Sequence, residues 1–380
     1  MKTSNKMLSI IFFSKTFSHY DSAVWIRFLE AKKYLFKIYF SDNPLGINKP
    51  QDYEKFINKY NGRLVKNNGF WILKKHLIWQ SKVISECLFQ KLDIVIFNGE
   101  MNCLTNWIGS IICRFRKIKV IHWGHGFYGN EIFFKLFLRK IFYRLADIHL
   151  VYGKRSRELF SENNFDISKV HVIYNSINNN KLVKSKLSPK FKYEMFRKSN
   201  LPVILFIGRL TKQKKIDLLI NSINEINNKS TLLNLLIIGD GSERNKLEEI
   251  SKKGIHKKEI FFYGSEHDEI KLSNLIFNAT LCVSPGEVGL TSIHCLSHGL
   301  AVASHDDLNN QMPEAEVIKN GYNGFLFKKQ SKKDLKEKMI NWVSMTNKQE
   351  IRKNCLKSII NYTPQNQFKI FENIIYKNIE

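Results

Sequence analysis

VILFIGRL at residues 203–210, LLIIGDG at 235–241, IFFYG at 260–264 and LCVSPGEVGL at 281–290 are short, β-branched apolar runs, each stopping at glycine or proline. A longer polar-periodic segment follows each of them, as parallel strands joined by crossover helices require. A sheet of that kind opens its binding crevice at the carboxyl ends of its strands. Gly208-Arg209, Gly239-Asp240-Gly241, Gly264 and Gly286 to Gly289 all fall there.

These turns describe a site for a phosphorylated, sugar-like ligand. In GRLTKQKKIDLLI, Lys214 stands five residues after Arg209, so one loop can turn a planar guanidinium fork and a point charge toward one diphosphate. Gly286-Glu287-Val288-Gly289-Leu290-Thr291 leads into the helical pattern TSIHCLSHG, which can aim backbone N–H groups and a helix dipole at the same anion. A solvated, lysine-rich turn is the plainer account of Arg209 and Lys214. The GDG turn has Arg244 where a dinucleotide fingerprint places its third glycine, which disfavours a nicotinamide cofactor.

The order GRLxxxK, GDG, FxG, PxxxxG and helix resembles the glycosyltransferases of family 4, whose GT-B fold is an α/β architecture of two Rossmann-like domains facing each other across a cleft. The resemblance covers the second half and reaches weakly into the first. It implies that Arg209 and Lys214 bind the donor diphosphate, that Gly208 and Gly241 lie beside the nucleotide, and that Gly289, Leu290 and Thr291 form the phosphate-binding turn. The Phe262-Tyr263-Gly264 turn would neighbour the base, with Tyr263 either stacking there or, the favoured account, belonging to the core. The family has two glutamates separated by seven residues. Here those positions are Gly286 and His294, with Glu287 one residue beyond the first. His294 can keep a ribose contact as donor and acceptor, or it is a satisfied histidine on the inner helix face. The variant GxVGLTxxH is similar to GT-B enzymes resembling those that build bacterial surface polysaccharides. In SHDDLNNQMPEAEVIKNGYNGFLF at 304–327, Glu314 is the implied acceptor of sugar or ribose hydroxyl bonds, with Glu316 as alternative, and a helix-start acid as the plain account.

The first half has its sharpest signal in KVIHWGHG at 119–126, a strand ending at glycine, histidine, glycine. That turn exposes an imidazole at a strand's carboxyl end. By resemblance His125 faces the donor sugar and is the catalytic candidate, while His122 reads as a packed strand residue. Asn98-Gly99-Glu100 is either an acceptor contact or a self-stabilised turn, and His19 and Asp21 are weaker candidates.

With 380 residues and 43% hydrophobic content, the chain suits two α/β domains. The expected division is 1–180 for the acceptor-side domain, 181–201 for a linker, 202–363 for the nucleotide-sugar domain and 364–380 for a helix crossing back to the first. Six cysteines without a C-x-x-C pair point to a reducing cytosol. No metal-ligand spacing and no span of ~20 apolar residues is present, and residues 1–15 run into a first strand. The net charge of +26 leaves three accounts open. Nucleic acid is disfavoured for want of a recognised module. An anionic membrane surface is a candidate partner of NEIFFKLFLRKIFYRLAD at 130–147, where the favoured alternative is a core-facing amphipathic helix, and Phe70 to Lys75 adds a second patch. The third is plain lysine-rich surface.

The expected function is transfer of a sugar from a nucleotide-sugar, a UDP-sugar as first guess, to a lipid-linked or other surface glycan, without metal or further cofactor. By resemblance the anomeric configuration is retained. The expected place is the cytoplasm, or peripherally the inner face of the plasma membrane. The alternatives are a GT-B sugar-nucleotide epimerase or phosphorylase, and a catalytically silent GT-B-like scaffold.

Overall fold

A computed structural model describes residues 7–18, 22–41, 53–72, 77–177, 192–228, 233–345 and 347–379. The chain forms two units, Met1–Ser176 with Pro364–Glu380, and Ile177–Thr363.

The first unit runs β1 (Leu8–Ser14), α1 (Ser22–Glu30), β2 (Tyr34–Ser41), α2 (Tyr53–Lys59), β3 (Leu64–Asn67), β4 (Gly69–Ile72), β5 (Leu77–Gln80), α3 (Lys82–Phe89), β6 (Ile94–Asn98), α4 (Leu104–Phe115), β7 (Lys119–Gly124), α5 (Phe133–Tyr143), β8 (Ile148–Val151), α6 (Lys154–Glu162) and β9 (Val170–Val172). Seven of these strands form a parallel sheet ordered β3-β2-β1-β6-β7-β8-β9, while β4 and β5 pair as an antiparallel hairpin. The second unit runs β10 (Val203–Ile207), α7 (Ile216–Asn227), β11 (Asn234–Ile238), α8 (Arg244–His256), β12 (Ile260–Gly264), α9 (Glu269–Asn278), β13 (Leu281–Ser284), α10 (Thr291–Ser297), β14 (Val302–His305), β15 (Gly324–Phe327), α11 (Lys332–Ser344) and α12 (Lys348–Ser358). Its six strands are parallel, in the order β12-β11-β10-β13-β14-β15. The last helix, α13 (Pro364–Ile379), belongs to the first unit.

Both sheets are covered on two faces, which is why central strands such as β11 and β13 are buried along their whole length and read as unbroken apolar runs. In the first unit α1 and α13 cover one face, where Phe28 meets Phe371 edge-on at 4.8 Å. Gln367 of α13 is also tied down, accepting from Ser176 Oγ (2.6 Å) and donating to the Tyr174 carbonyl (2.7 Å). The stretch before β10 is not wholly a linker. Tyr193 and Phe196 are buried, and the Tyr193 hydroxyl donates to the Leu275 carbonyl at 2.6 Å, so from residue 192 the chain is part of the second unit. Residues 181–191 of the expected linker lie outside the described residues, as do His19, Asp21, Leu73, Lys74 and Lys75. All six cysteines are free and buried.

Two buried histidines on β7 and β8 make the first unit acid-sensitive. His122 stacks on Phe142 at 4.3 Å, and His149 packs against Phe160 at 4.6 Å. Burial holds the His122 ring well below its ordinary value and pushes His149 down to about 3. The unfolded chain takes up these protons near 6.5 while the folded chain does not, so stability present above that pH is lost as pH falls toward 3. Each histidine contributes up to about 1.4 kcal/mol per pH unit over that window. Urea unfolding at neutral and mildly acidic pH is expected to show this slope, and His149→Phe to reduce it.

Candidate functional site

In the second unit the glycine turns close into one floor beyond the sheet. The β10–β11 register runs from Val203 opposite Asn234 to Ile207 opposite Ile238, so Gly208 and Gly239 leave the sheet side by side. A Cβ on Gly239 would stand 1.9 Å from the Gly208 carbonyl oxygen, which excludes every other residue type. The Gly208 N–H donates to Ile238 C=O (3.0 Å), Gly239 N–H to Gly264 C=O (2.8 Å) and Leu210 N–H to Asp240 C=O (2.9 Å). Gly241 follows, its N–H held by Asp240 Oδ1 at 2.7 Å.

Arg209 stands exposed on this floor, and Lys214 closes a 3₁₀ turn over Lys212–Lys214. The Lys214 ammonium donates to the Glu287 carbonyl at 2.6 Å. Burial pushes its pKa down and Arg209 pushes it further, while the carboxylates of Glu287 and Glu314 oppose the shift. Arg209, Glu287 and Glu314 therefore all lie within electrostatic reach of Lys214. A diphosphate placed there would favour the charged ammonium form of Lys214 and so offset the effect of its burial.

The head of α10 reaches the same place. Thr291 Oγ1 donates to the Ile207 carbonyl at 3.3 Å, which sets the start of α10 against the end of β10. Its first turn is closed by Ser292 N–H to Gly289 C=O and His294 N–H to Leu290 C=O (both 2.9 Å), with Gly289, Leu290 and Thr291 as the leading amides. Ser292 Oγ donates to the Glu314 carbonyl at 3.1 Å and so places Glu314, a buried residue, behind this turn. His294 is half-buried on α10, its ring 5.0 Å from that of His298.

Gly286, at the position that the resemblance gives to a glutamate, has no room for a side chain. A Cβ on Gly286 would come within 1.9 Å of the Gln213 carbonyl oxygen, and Gly286 N–H donates to the Lys214 carbonyl at 3.0 Å. The 3₁₀ turn that carries Lys214 is thus pressed directly onto Gly286, and no side chain fits between them. Glu287, the next residue, is half-buried and supplies the carbonyl that holds Lys214.

Sequence reasoning missed Gln311. Its Oε1 accepts from Val288 N–H at 2.8 Å and its Nε2 donates to Ser304 Oγ at 2.8 Å and to the Gly286 carbonyl at 3.3 Å. One amide thereby fixes both ends of the Gly286–Val288 turn. The only signal was a glutamine two residues before Pro313, which has no chemical signature of its own. Gly286 and Glu287 also border a cavity of about 440 Å³ lined by Lys215, His305, Asn310 and Lys329. Arg209, Lys214 and Glu314 do not line it. The charge cluster, rather than this cavity, matches the chemistry of a diphosphate.

Tyr263 is not a core residue, contrary to the favoured expectation. It is half-buried at the rim of β12, and its hydroxyl meets Glu266 Oε2 at 3.4 Å. At a sheet-edge strand only one side is covered by neighbours.

In the first unit β7 delivers His125 to the carboxyl edge of the sheet. Its ring stacks on Tyr128 (centroids 6.1 Å) and meets Tyr152 edge-on (5.2 Å). Among the described residues Nδ1 is buried without a hydrogen-bond partner. The loop behind it is locked by charge: Arg139 lies over the Tyr128 ring at 4.8 Å, donates to the Gly126 carbonyl at 3.0 Å and pairs with Glu131 at 3.2 Å. Glu131 in turn accepts from the N–H groups of Tyr128 and Gly129, both at 2.8 Å. Asn98-Gly99-Glu100 is a braced turn. Asn98 Oδ1 accepts from Lys15 N–H at 2.6 Å, and Glu100 pairs with the Lys15 ammonium at 2.7 Å.

Residues 189–358, within which all the second-unit site residues fall, match the family described as Glycosyl transferases group 1. Over 310 residues the chain is 22% identical to the uncharacterized glycosyltransferase MJ1069 of Methanocaldococcus jannaschii, covering 75% of this chain and 76% of that relative. Two solved structures resemble it across 98% of this chain and 100% of theirs. They are the apo form of the lipopolysaccharide outer core galactosyltransferase WaaB, with a TM-score of 0.72 and 17% identity, and Anabaena Alr3699/HepE in complex with UDP, at 0.70 and 14%. At such identities the likeness concerns the fold, two Rossmann-like parallel sheets of the GT-B type. Together these matches support a glycosyltransferase.

Proposed function

We propose that the protein moves a sugar from a nucleotide-sugar donor, a uridine diphosphate sugar in the first instance, to a lipid-linked surface glycan. The observation that carries the donor assignment is the convergence of Arg209, Lys214 and the leading amides of α10 on one place at the carboxyl edge of the second sheet. Departure of the sugar leaves a diphosphate whose charge grows in the transition state, and fixed donors are most effective where charge develops. Lys214 is held in position before substrate arrives, so little reorganisation is needed. The UDP bound in the HepE structure and the lipopolysaccharide role in the WaaB name favour this donor and this class of acceptor.

Gly208 and Gly241 shape the floor under the nucleotide, Tyr263 borders its base, and Glu314 with His294 and Glu287 receives sugar and ribose hydroxyls. His125, at the carboxyl end of β7, is the catalytic group of this proposal and contacts the donor sugar. Retention of configuration and independence of metal complete the proposal, with action at the cytoplasmic side. The test is release of nucleoside diphosphate from a panel of nucleotide-sugars in the presence of membrane extract. His125→Ala is expected to lower turnover by about a hundredfold while leaving nucleotide affinity unchanged. Equal losses in both would make His125 a ligand instead.

A further inference from the structure

As expected of a core-facing amphipathic helix, α5 packs Phe142 and Tyr143 into the core with Leu136 against them, but its apolar surface is wider than that inner face. Its outer face carries Phe133, Phe134 and Phe137, all exposed, Phe133 by 84%. Two neighbouring helices do the same. Phe89 at the end of α3 is 79% exposed and Phe115 at the end of α4 is 85% exposed, with Ile111 one turn before it.

These helices form a row on one face of the sheet. The Arg116 guanidinium donates to the carbonyls of Cys87 (2.6 Å) and Gln90 (2.9 Å), which joins the end of α4 to the end of α3. Arg114 reaches the Arg144 carbonyl at 3.4 Å, and Trp107 packs on Phe142 at 5.0 Å, which joins α4 to α5. The exposed apolar side chains therefore stand on three helices joined side by side in the first unit. Scattered exposed apolar residues need no explanation, but a run of phenylalanines across three adjacent helices does.

The charge around this surface is one-sided. From Leu104 to Ala146 the chain has eight Lys and Arg residues and one acid, Glu131, which is already paired with Arg139. Lys135, Arg114, Lys117 and Arg144 stand exposed around the phenylalanines. A second copy of the chain is a poor occupant, because a two-fold contact sets this cationic patch against itself. Among the described residues no helix is long and apolar enough to cross a bilayer.

We infer that the outer face of α3, α4 and α5 docks on an anionic phospholipid surface, with phenylalanine rings entering the headgroup boundary and the cations neutralising lipid charge. The inference is independent of what the second unit binds.

Vesicle flotation tests it, comparing pure phosphatidylcholine with phosphatidylcholine containing phosphatidylglycerol. The protein is expected to float with the anionic vesicles, to stay behind with the neutral ones, and to detach as salt rises. Phe133→Ser/Phe137→Ser, Phe115→Ser and Lys135→Glu are each expected to lower partitioning by about tenfold or more, since both buried apolar area and charge contribute. All four positions are exposed, so the variants are expected to keep the wild-type melting temperature, which separates lost docking from lost folding. Failure to float with anionic vesicles overturns the inference. So does undiminished flotation of folded variants, or a wild-type dimer in solution that the phenylalanine variants convert to monomer.

Discussion

Lys214→Ala is expected to lower sugar transfer by roughly a hundredfold to a thousandfold, the range for removing one preorganised donor at a developing negative charge. The loss should appear mainly in turnover. Lys214 is half-buried and already fixed by the Glu287 carbonyl, so it meets the leaving diphosphate without further ordering. Arg209 is exposed and its guanidinium must be ordered on binding, so Arg209→Ala is expected to weaken donor affinity more than it slows the chemical step. Steady-state kinetics on the two single variants checks the contrast. Wild-type turnover in both would remove the diphosphate assignment, whereas identical profiles would show that the two cations act as one unit.

Gly286→Ala is expected to reduce transfer by about a hundredfold or more, although it adds one carbon and removes no functional group. The new Cβ would meet the Gln213 carbonyl oxygen at 1.9 Å, and backbone cannot step aside as a flexible side chain can. The 3₁₀ turn carrying Lys214 would be displaced, and with it the ammonium from the head of α10. For the same reason Gly286→Glu, which restores the family's glutamate in sequence, should not restore its chemistry. Nucleotide affinity and turnover measured together on Gly286→Ala check this. A variant with wild-type values in both would show that the turn adapts and that packing does not require glycine at position 286.

How far the sequence could be read followed from which interactions are local. Parallel strands buried on both faces, such as NLLII and LCVS, show themselves as unbroken apolar runs, and turn glycines mark where they end. Arg209 and His125 could be singled out because each follows such a glycine directly, and Lys214 because it stands five residues after Arg209 in the same loop. The reason for Gly286 was not legible, since it lies in a carbonyl more than seventy residues earlier in the chain. Gln311 was hidden likewise, because its bonds to Val288, Ser304 and Gly286 arise only when two loops meet. The helix at Phe133–Tyr143 was legible only in part: apolar residues on nearly every side fit an inner and an outer face alike, and only its neighbours show that Phe142 and Tyr143 pack inward while Phe133, Phe134 and Phe137 stay exposed. The boundary before β10 misled by composition. Lysines and a proline read as linker, whereas Tyr193 and Phe196 supply the apolar area that anchors the stretch from residue 192.

The central claim is that Arg209, Lys214 and the leading amides of α10 hold a nucleotide through its second phosphate. Thermal unfolding with UDP, UMP and uridine, run on the wild type and on Arg209→Ala/Lys214→Ala, tests it most directly, since a ligand of the folded state raises the melting temperature by mass action. The wild type should be stabilised by UDP well beyond UMP or uridine, and the double variant should lose that difference while folding normally. An equal UDP shift in the wild type and the double variant would contradict the account.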